Sequence, residues 1–166
     1  MLVLLMRHGV AEDGVPDTSR ALTPQGRRKV RHVCRLFQLF SLRPHAIFSS
    51  PRVRARQTAE IVARQLKLGK SAVRQTPDLD FTAGWDAFAV LLEEQRRIFG
   101  NDAVVLLAGH QPHLGEMATL AVDGVDDGRD FRKGACLGLR FKGPVVPGGG
   151  TIDFYLTPRL AKMLKD

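Results

Sequence analysis

Three stretches of this 166-residue chain combine residue types that can do chemistry together: Arg7-His8-Gly9, Ser50-Pro51-Arg52-Val53-Arg54-Ala55-Arg56-Gln57-Thr58 and Gly109-His110-Gln111-Pro112. Each follows a short apolar run. Arg7, Arg54, His8 and His110, with no carboxylate expected beside them, suit a dianion and not a cation or a metal. A guanidinium fork binds two phosphate oxygens at once, and a helix opening near Arg52 can add backbone N–H donors. A neutral imidazole is a competent nucleophile toward phosphorus. The arginines are expected to depress the His8 pKa and keep the ring neutral. Its second nitrogen must then donate to an acceptor that sets the tautomer, and Gly9 is expected to allow a tight turn that holds the ring in place. Arg7, Arg54 and His110 would hold the equatorial oxygens during transfer, which is mainly positioning and electrostatics. Water would then hydrolyse the phosphohistidine on His8.

These residues converge only if the runs before them are parallel strands, because ligands of open α/β sheets sit outside the carboxyl ends of strands. Leu2–Met6 reads as a buried strand, Ala46–Ser49 as a second, Val73 as part of a weaker third, and Ala103–Ala108 as the clearest. Thr23-Pro24 starts a helix, with threonine as N-cap and proline at the first helical position. Val30, Val33, Cys34, Phe37 and Phe40 give it an apolar face, and it should run to about Ser41. Further helices are expected from Pro51 to about Leu66, over Trp85–Phe99, and from about Pro112 to Val122. Residues 9–20, 75–84 and 124–134 read as loops. Ala135–Phe141 and Thr151–Thr157 read as two final strands, close enough to make one pairing antiparallel. The expected fold is a three-layer α/β/α sandwich with a mostly parallel mixed sheet, built as a single domain over residues 1–166.

Composition narrows the setting. Twenty-five basic residues, eighteen of them arginine, against seventeen acidic ones give a net charge of +8, a field that favours anionic partners. Cys34 and Cys136, each among apolar neighbours, make neither a disulfide framework nor a metal cluster, so a reducing cytoplasm is expected. The apolar start has no basic residue before it, Arg7-His8 ends it early, and no membrane span is expected.

The chain resembles the histidine phosphatases of the phosphoglycerate mutase-like superfamily, in particular the short SixA-type phosphohistidine phosphatases, over nearly its whole length. Leu5-Met6-Arg7-His8-Gly9 resembles the N-terminal signature, and Arg20-Ala21-Leu22-Thr23-Pro24-Gln25-Gly26 the R-x-L-T-x-x-G segment. Ser50-Pro51, Arg54-Ala55 and Gln57-Thr58 resemble the second signature, and Gly109-His110, Pro112 and Leu114 the third. The resemblance implies that His8 is the phosphorylated nucleophile and that Arg7, Arg54 and His110 bind the phosphoryl group. It carries no role onto Arg52 or Arg56, which fall at variable positions.

Larger relatives carry an acid, usually glutamate, between the second and third signatures to protonate a leaving alcohol, worth ~10²–10⁴ in rate. The acids of that region here are Asp78, Asp80, Asp86, Glu93 and Glu94. Glu93 and Glu94 read as solvated. Asp78 and Asp80 are the candidate general acids, against the plainer expectation that they cap the next turn or sit in solvent. An imidazole leaving group, with an unperturbed pKa of ~6.5, needs little such help. Phosphohistidine on a signalling or phosphotransfer protein, such as a histidine-containing phosphotransfer domain, is therefore the expected substrate. A basic surface including Arg27, Arg28, Arg31, Arg52, Arg56, Arg129 and Arg132 would suit an acidic docking face. A small phosphate compound handled by a general phosphomonoesterase is the alternative. From another class, a catalytically weak phosphoprotein- or nucleic-acid-binding module is the rival, although no nucleic-acid motif is present and aromatics for stacking are few. No cofactor, metal or membrane partner is expected. His32 and His45 read as surface, Lys133 as surface before site, and Phe81 and Trp85 as core. His113 opens the helix after His110 without an assigned role.

Overall fold

The computed structural model describes residues 1–80, 83–125 and 127–164. Its strands are Leu2–Arg7 (β1), Ala46–Ser49 (β2), Val73–Gln75 (β3), Val104–Gly109 (β4), Cys136–Phe141 (β5) and Gly150–Leu156 (β6), in the order β3-β2-β4-β1-β5-β6. The helices are Pro24–Leu39 (α1), Val53–Gln65 (α2), Trp85–Phe99 (α3), His113–Asp123 (α4) and Pro158–Met163 (α5). Helices cover both faces, because the apolar run of β1 has no polar alternation and is buried on each side. Leu2, Leu4 and Met6 join Val30, Val33, Phe37, Val62 and Ala161, so α1, α2 and α5 form one layer. Val3 and Leu5 join Phe88, Leu92, Leu114 and Met117 of α3 and α4 in the other. Full burial of each such leucine stabilises by roughly 1.5–3 kcal/mol. The result is a three-layer α/β/α sandwich with a mostly parallel mixed sheet.

Two pairings put the site together. β4 runs parallel to β1 and to β2, with Arg7 opposite Gly109 and Ser49 opposite Ala108. Two hydrogen bonds extend these ladders past the strand ends, from the His8 N–H to the Gly109 carbonyl (3.0 Å) and from the Ser50 N–H to the Ala108 carbonyl (3.0 Å). His8, Ser50 and His110 therefore leave three neighbouring strands at the same height.

The expected single antiparallel pairing is two: β5 is antiparallel to both β1 and β6. The loop after α4 causes this. Gln111 Nε2 donates to the Arg129 carbonyl at 2.5 Å, and the Arg7 N–H donates to the Ala135 carbonyl at 3.1 Å. The chain has thus returned to the edge where β1 ends before β5 begins. Phe40 is not part of the apolar face of α1. The helix stops at Leu39, and Phe40 is 53% exposed. Helix α5 and a 3-10 turn at Asp17–Ser19 stand where no element is expected, both too short for a periodic signal. Trp85 packs partly buried against the core, while Phe81 lies outside the described residues.

Candidate active site

His8 sits just past β1, 8% exposed, with its ring held from both sides. Its Nδ1 lies 2.7 Å from the Gly9 carbonyl oxygen, which can only accept, so Nδ1 carries the proton. Nε2 is therefore the unprotonated nitrogen, and its lone pair accepts from Arg54 Nε at 3.2 Å. The tautomer required of a nucleophilic imidazole is thus set by the residue's own following peptide. Gly9 serves by close packing and not by a left-handed turn. A Cβ there would meet Val30 Cγ2 at 3.0 Å and the Gly26 carbonyl at 3.2 Å. A Cβ on Gly26 would stand 2.1 Å from the Val10 carbonyl, which accounts for glycine in the first turn of α1. Thr58 of α2 completes the support, accepting from the Gly9 N–H at 3.1 Å while donating to the Arg54 carbonyl at 2.8 Å.

Burial is the main reason the His8 pKa falls to about 4, ahead of the charges of Arg54, Arg7 and Lys133, and the Gly9 hydrogen bond opposes it. The arginines are therefore contributors and not the leading cause, contrary to the sequence expectation. His110 lies opposite, with ring centroids 5.0 Å apart, and its Nε2 is 2.8 Å from Ser50 Oγ. Its pKa falls further, to about 3, through burial first and then the fields of His8, Arg54 and Arg52. Both rings are neutral at pH 7 before any anion arrives.

The expected absence of carboxylates fails. Asp17, on the 3-10 turn after the His8 loop, takes the outer edge of Arg54: its Oδ2 accepts from Nη2 at 2.9 Å and its carbonyl from Nη1 at 2.7 Å. The same carboxylate accepts from Arg52 Nη1 and from Arg20 Nη1, the latter at 3.0 Å. Hydrogen bonds from Arg54 and then Arg20, working against desolvation, hold the Asp17 carboxyl down at about 2. Arg52 also donates from Nε to Asp80 Oδ1 at 2.7 Å, so it is a bridge within the site and not free basic surface. Asp78 lies inside a 3-10 turn (Pro77–Leu79) that Thr76 caps: the Thr76 hydroxyl accepts from the Asp78 N–H at 3.3 Å and donates to Asp78 Oδ2 at 2.6 Å.

Arg7 ends β1. Its Nη1 donates to Asp130 Oδ1 at 3.2 Å and to the Phe131 carbonyl, while its buried Nε has no hydrogen-bond partner among the described residues. The structure thus brings His8, Arg54 and His110 into direct contact, with Arg7 near enough for its charge to act on His8. A neutral imidazole, a partly paired guanidinium, a second neutral ring and an arginine N–H without a described partner fit an anion. His113 is buried in the first turn of α4, and His45 is exposed, accepting from the Val104 N–H at 3.0 Å. Glu93 stays partly exposed while its Oε1 accepts from the Val145 N–H at 2.6 Å.

Sequence reasoning missed Ser50, Asp17 and Arg52 as site residues. Ser50 had a usable signal, because it stands one residue past β2 as His8 and His110 stand past β1 and β4. Asp17 had none beyond its place three residues before Arg20.

The sequence profile of the histidine phosphatase superfamily (branch 1) matches residues 3–81. Over 144 residues, 84% of this chain, the sequence is 34% identical to an uncharacterised protein of Picosynechococcus sp., and the match covers 85% of that protein. The solved structure of the protein histidine phosphatase SixA complexed with tungstate is 25% identical and superposes with a TM-score of 0.83 over 96% of this chain and 98% of that one. A putative phosphohistidine phosphatase SixA from Agrobacterium tumefaciens is 22% identical, with a TM-score of 0.72 over 95% and 97% of the two chains. A mycobacterial glucosyl-3-phosphoglycerate phosphatase shares the fold at a TM-score of 0.67 and 15% identity, covering 92% of this chain and 96% of that one.

Proposed function

This chain belongs to the histidine phosphatase superfamily, and on that premise we propose that it removes phosphate from phosphohistidine carried on a protein, through a phosphoenzyme formed on His8. The observation that carries the reading is the His8 ring itself: Nδ1 is bonded to the Gly9 carbonyl and Nε2 is left as an aimed, unprotonated lone pair beside Arg54.

In the first step Nε2 attacks phosphorus, a new N–P bond forms, and the N–P bond of the substrate breaks. The leaving imidazole takes a proton from solvent. In the second step water attacks the His8 phosphoryl group. The Nε2–P bond breaks, inorganic phosphate leaves, and the ring regains its neutral tautomer. Arg54, Arg7 and His110 hold the equatorial oxygens, and stabilisation of that charge is the main catalytic contribution expected of the protein.

The acids support the choice of substrate class. Asp78 is occupied by Thr76, and Asp80 is committed to Arg52. Neither is assigned here as a proton donor to a leaving alkoxide. A leaving imidazole requires no such donor, which supports a phosphoramidate over a monoester.

The test is a phosphatase panel run on wild type and His8→Ala. Phosphohistidine protein should be hydrolysed far faster than sugar or nucleotide monoesters, and radiolabelled phosphate should be trapped on His8. Faster release from the monoesters would assign the chain to small-molecule substrates. A fully active His8→Ala protein would remove the mechanism altogether.

A further inference from the structure

Six cations, Arg28, Lys29, Arg132, Lys133, Arg159 and Lys162, line an open cleft of about 870 Å³ between α1, α5 and the turn before β5. No aspartate or glutamate among the described residues lines it. Among the described residues, none of the six cations pairs with a carboxylate, whereas the site arginines Arg7, Arg52 and Arg54 all do. Uncompensated like charges repel one another and raise the local concentration of anions.

The cleft lies beside the loop that carries His8. Val10, two residues beyond His8, lies in its wall, and the Gly134 N–H donates to the His8 carbonyl at 3.0 Å beside Lys133. Lys133 is close enough for its charge to act on His8. A molecule whose phosphoryl group reaches His8 can therefore lie along the cleft, provided it extends well beyond the leaving group. A free phosphoramidate ends at His8, whereas a carrier protein does not. Among the described residues His32 is the one ring in the lining and no Phe, Tyr or Trp joins it, so the cleft offers no run of aromatic platforms of the kind that binds single-stranded nucleic acid.

We propose that the α1–α5 cleft docks an acidic surface of the phosphoprotein substrate. The identity of that occupant rests on the phosphohistidine-protein reading, while the charge and position of the cleft do not.

Two triple variants with equal charge change test it: Lys29→Glu/Arg159→Glu/Lys162→Glu in the cleft, and Arg74→Glu/Arg97→Glu/Lys142→Glu outside it. The substrates are an acidic histidine-containing phosphotransfer domain, phosphorylated on histidine, and free phosphohistidine. The cleft variant should raise KM for the protein on the order of 10-fold, with kcat and turnover of free phosphohistidine within about twofold of wild type. The control variant should change KM less than about threefold. Equal effects of both variants, or no effect of the cleft variant, would overturn the proposal.

Binding of a labelled ten-residue glutamate peptide, read by anisotropy without turnover, separates the two readings. If the wild type hydrolyses no phosphohistidine protein, the functional reading fails. Peptide affinity lost only in the cleft variant would still establish the docking surface. No peptide binding, or tighter binding of a DNA decamer through the same residues, would overturn it.

Discussion

The His8 pocket and the α1–α5 cleft are both rich in cations, yet they treat charge in opposite ways. In the pocket the guanidiniums are paired: Asp17 spans Arg20, Arg52 and Arg54, and Asp80 closes on Arg52. In the cleft no described carboxylate pairs with the lining lysines and arginines. Pairing spends attraction to fix geometry, and phosphoryl transfer demands geometry. Leaving charges unpaired keeps the field that draws and orients a partner at longer range. One region is built for placement and the other for capture, so substitutions should change different kinetic constants in each.

The largest effect should come from His8, the proposed nucleophile. His8→Ala should lower kcat/KM by at least ~10⁴-fold, measured as phosphate release, and abolish the acid-labile phosphoenzyme. Arg54→Ala comes next, at about 10²–10³-fold in kcat, because it removes a donor at the transferring group. Arg54→Lys should recover little, since a lysine cannot reproduce the contact to His8 Nε2 together with two bonds to Asp17.

Asp17→Asn sharpens the contrast. It should lower kcat about 10-fold by loosening Arg54, while affinity for inorganic phosphate as a product inhibitor stays the same or improves, because a negative charge beside the site is gone. If phosphate affinity falls instead, Asp17 serves the anion directly and the comparison of the two regions breaks. The cleft variant should come below these, acting on KM for a protein substrate alone. Its effect should fade between about 0.05 and 0.3 M salt as the Debye length shortens, while the pocket effects persist.

The smallest effect is on stability against pH. His8 and His110 have folded-state values of about 4 and about 3, below an unfolded value of ~6.5. Between those limits the unfolded chain binds the extra protons, so stability is fully present above about pH 6.5 and is lost as pH falls toward the folded values. The loss should be on the order of 2 kcal/mol per ring, visible as a falling Tm from pH 6.5 to 4 that His8→Asn makes shallower. A Tm profile of equal slope in that variant would mean that His8 titrates normally in the folded protein.

Much of this was legible in the residues alone, for identifiable reasons. The uninterrupted apolar runs at Leu2–Met6 and Ala103–Ala108 announce strands buried on both faces, and Thr23-Pro24 announces a capped helix whose threonine does accept from the Gly26 N–H at 2.8 Å. Those signals are local, so a reader of sequence can place His8, Arg54 and His110 at one edge. The short elements were not legible, because six residues in α5 and three in the Asp17 turn carry no period. Nor was the direction of β5, which depends on where the loop carrying Arg129 returns.

Sequence by itself therefore determined the candidate site residues, the strands that end beside them and the family they belong to. Tertiary structure alone decided which nitrogen of His8 is unprotonated, that burial more than arginine keeps its ring neutral, that Asp17 holds Arg54, and that six cations from α1, α5 and one turn share a cleft. The reason is physical. Strand and helix signals are written in neighbouring residues, whereas a tautomer, an ion pair across 37 positions and a shared electrostatic field exist only once distant segments meet.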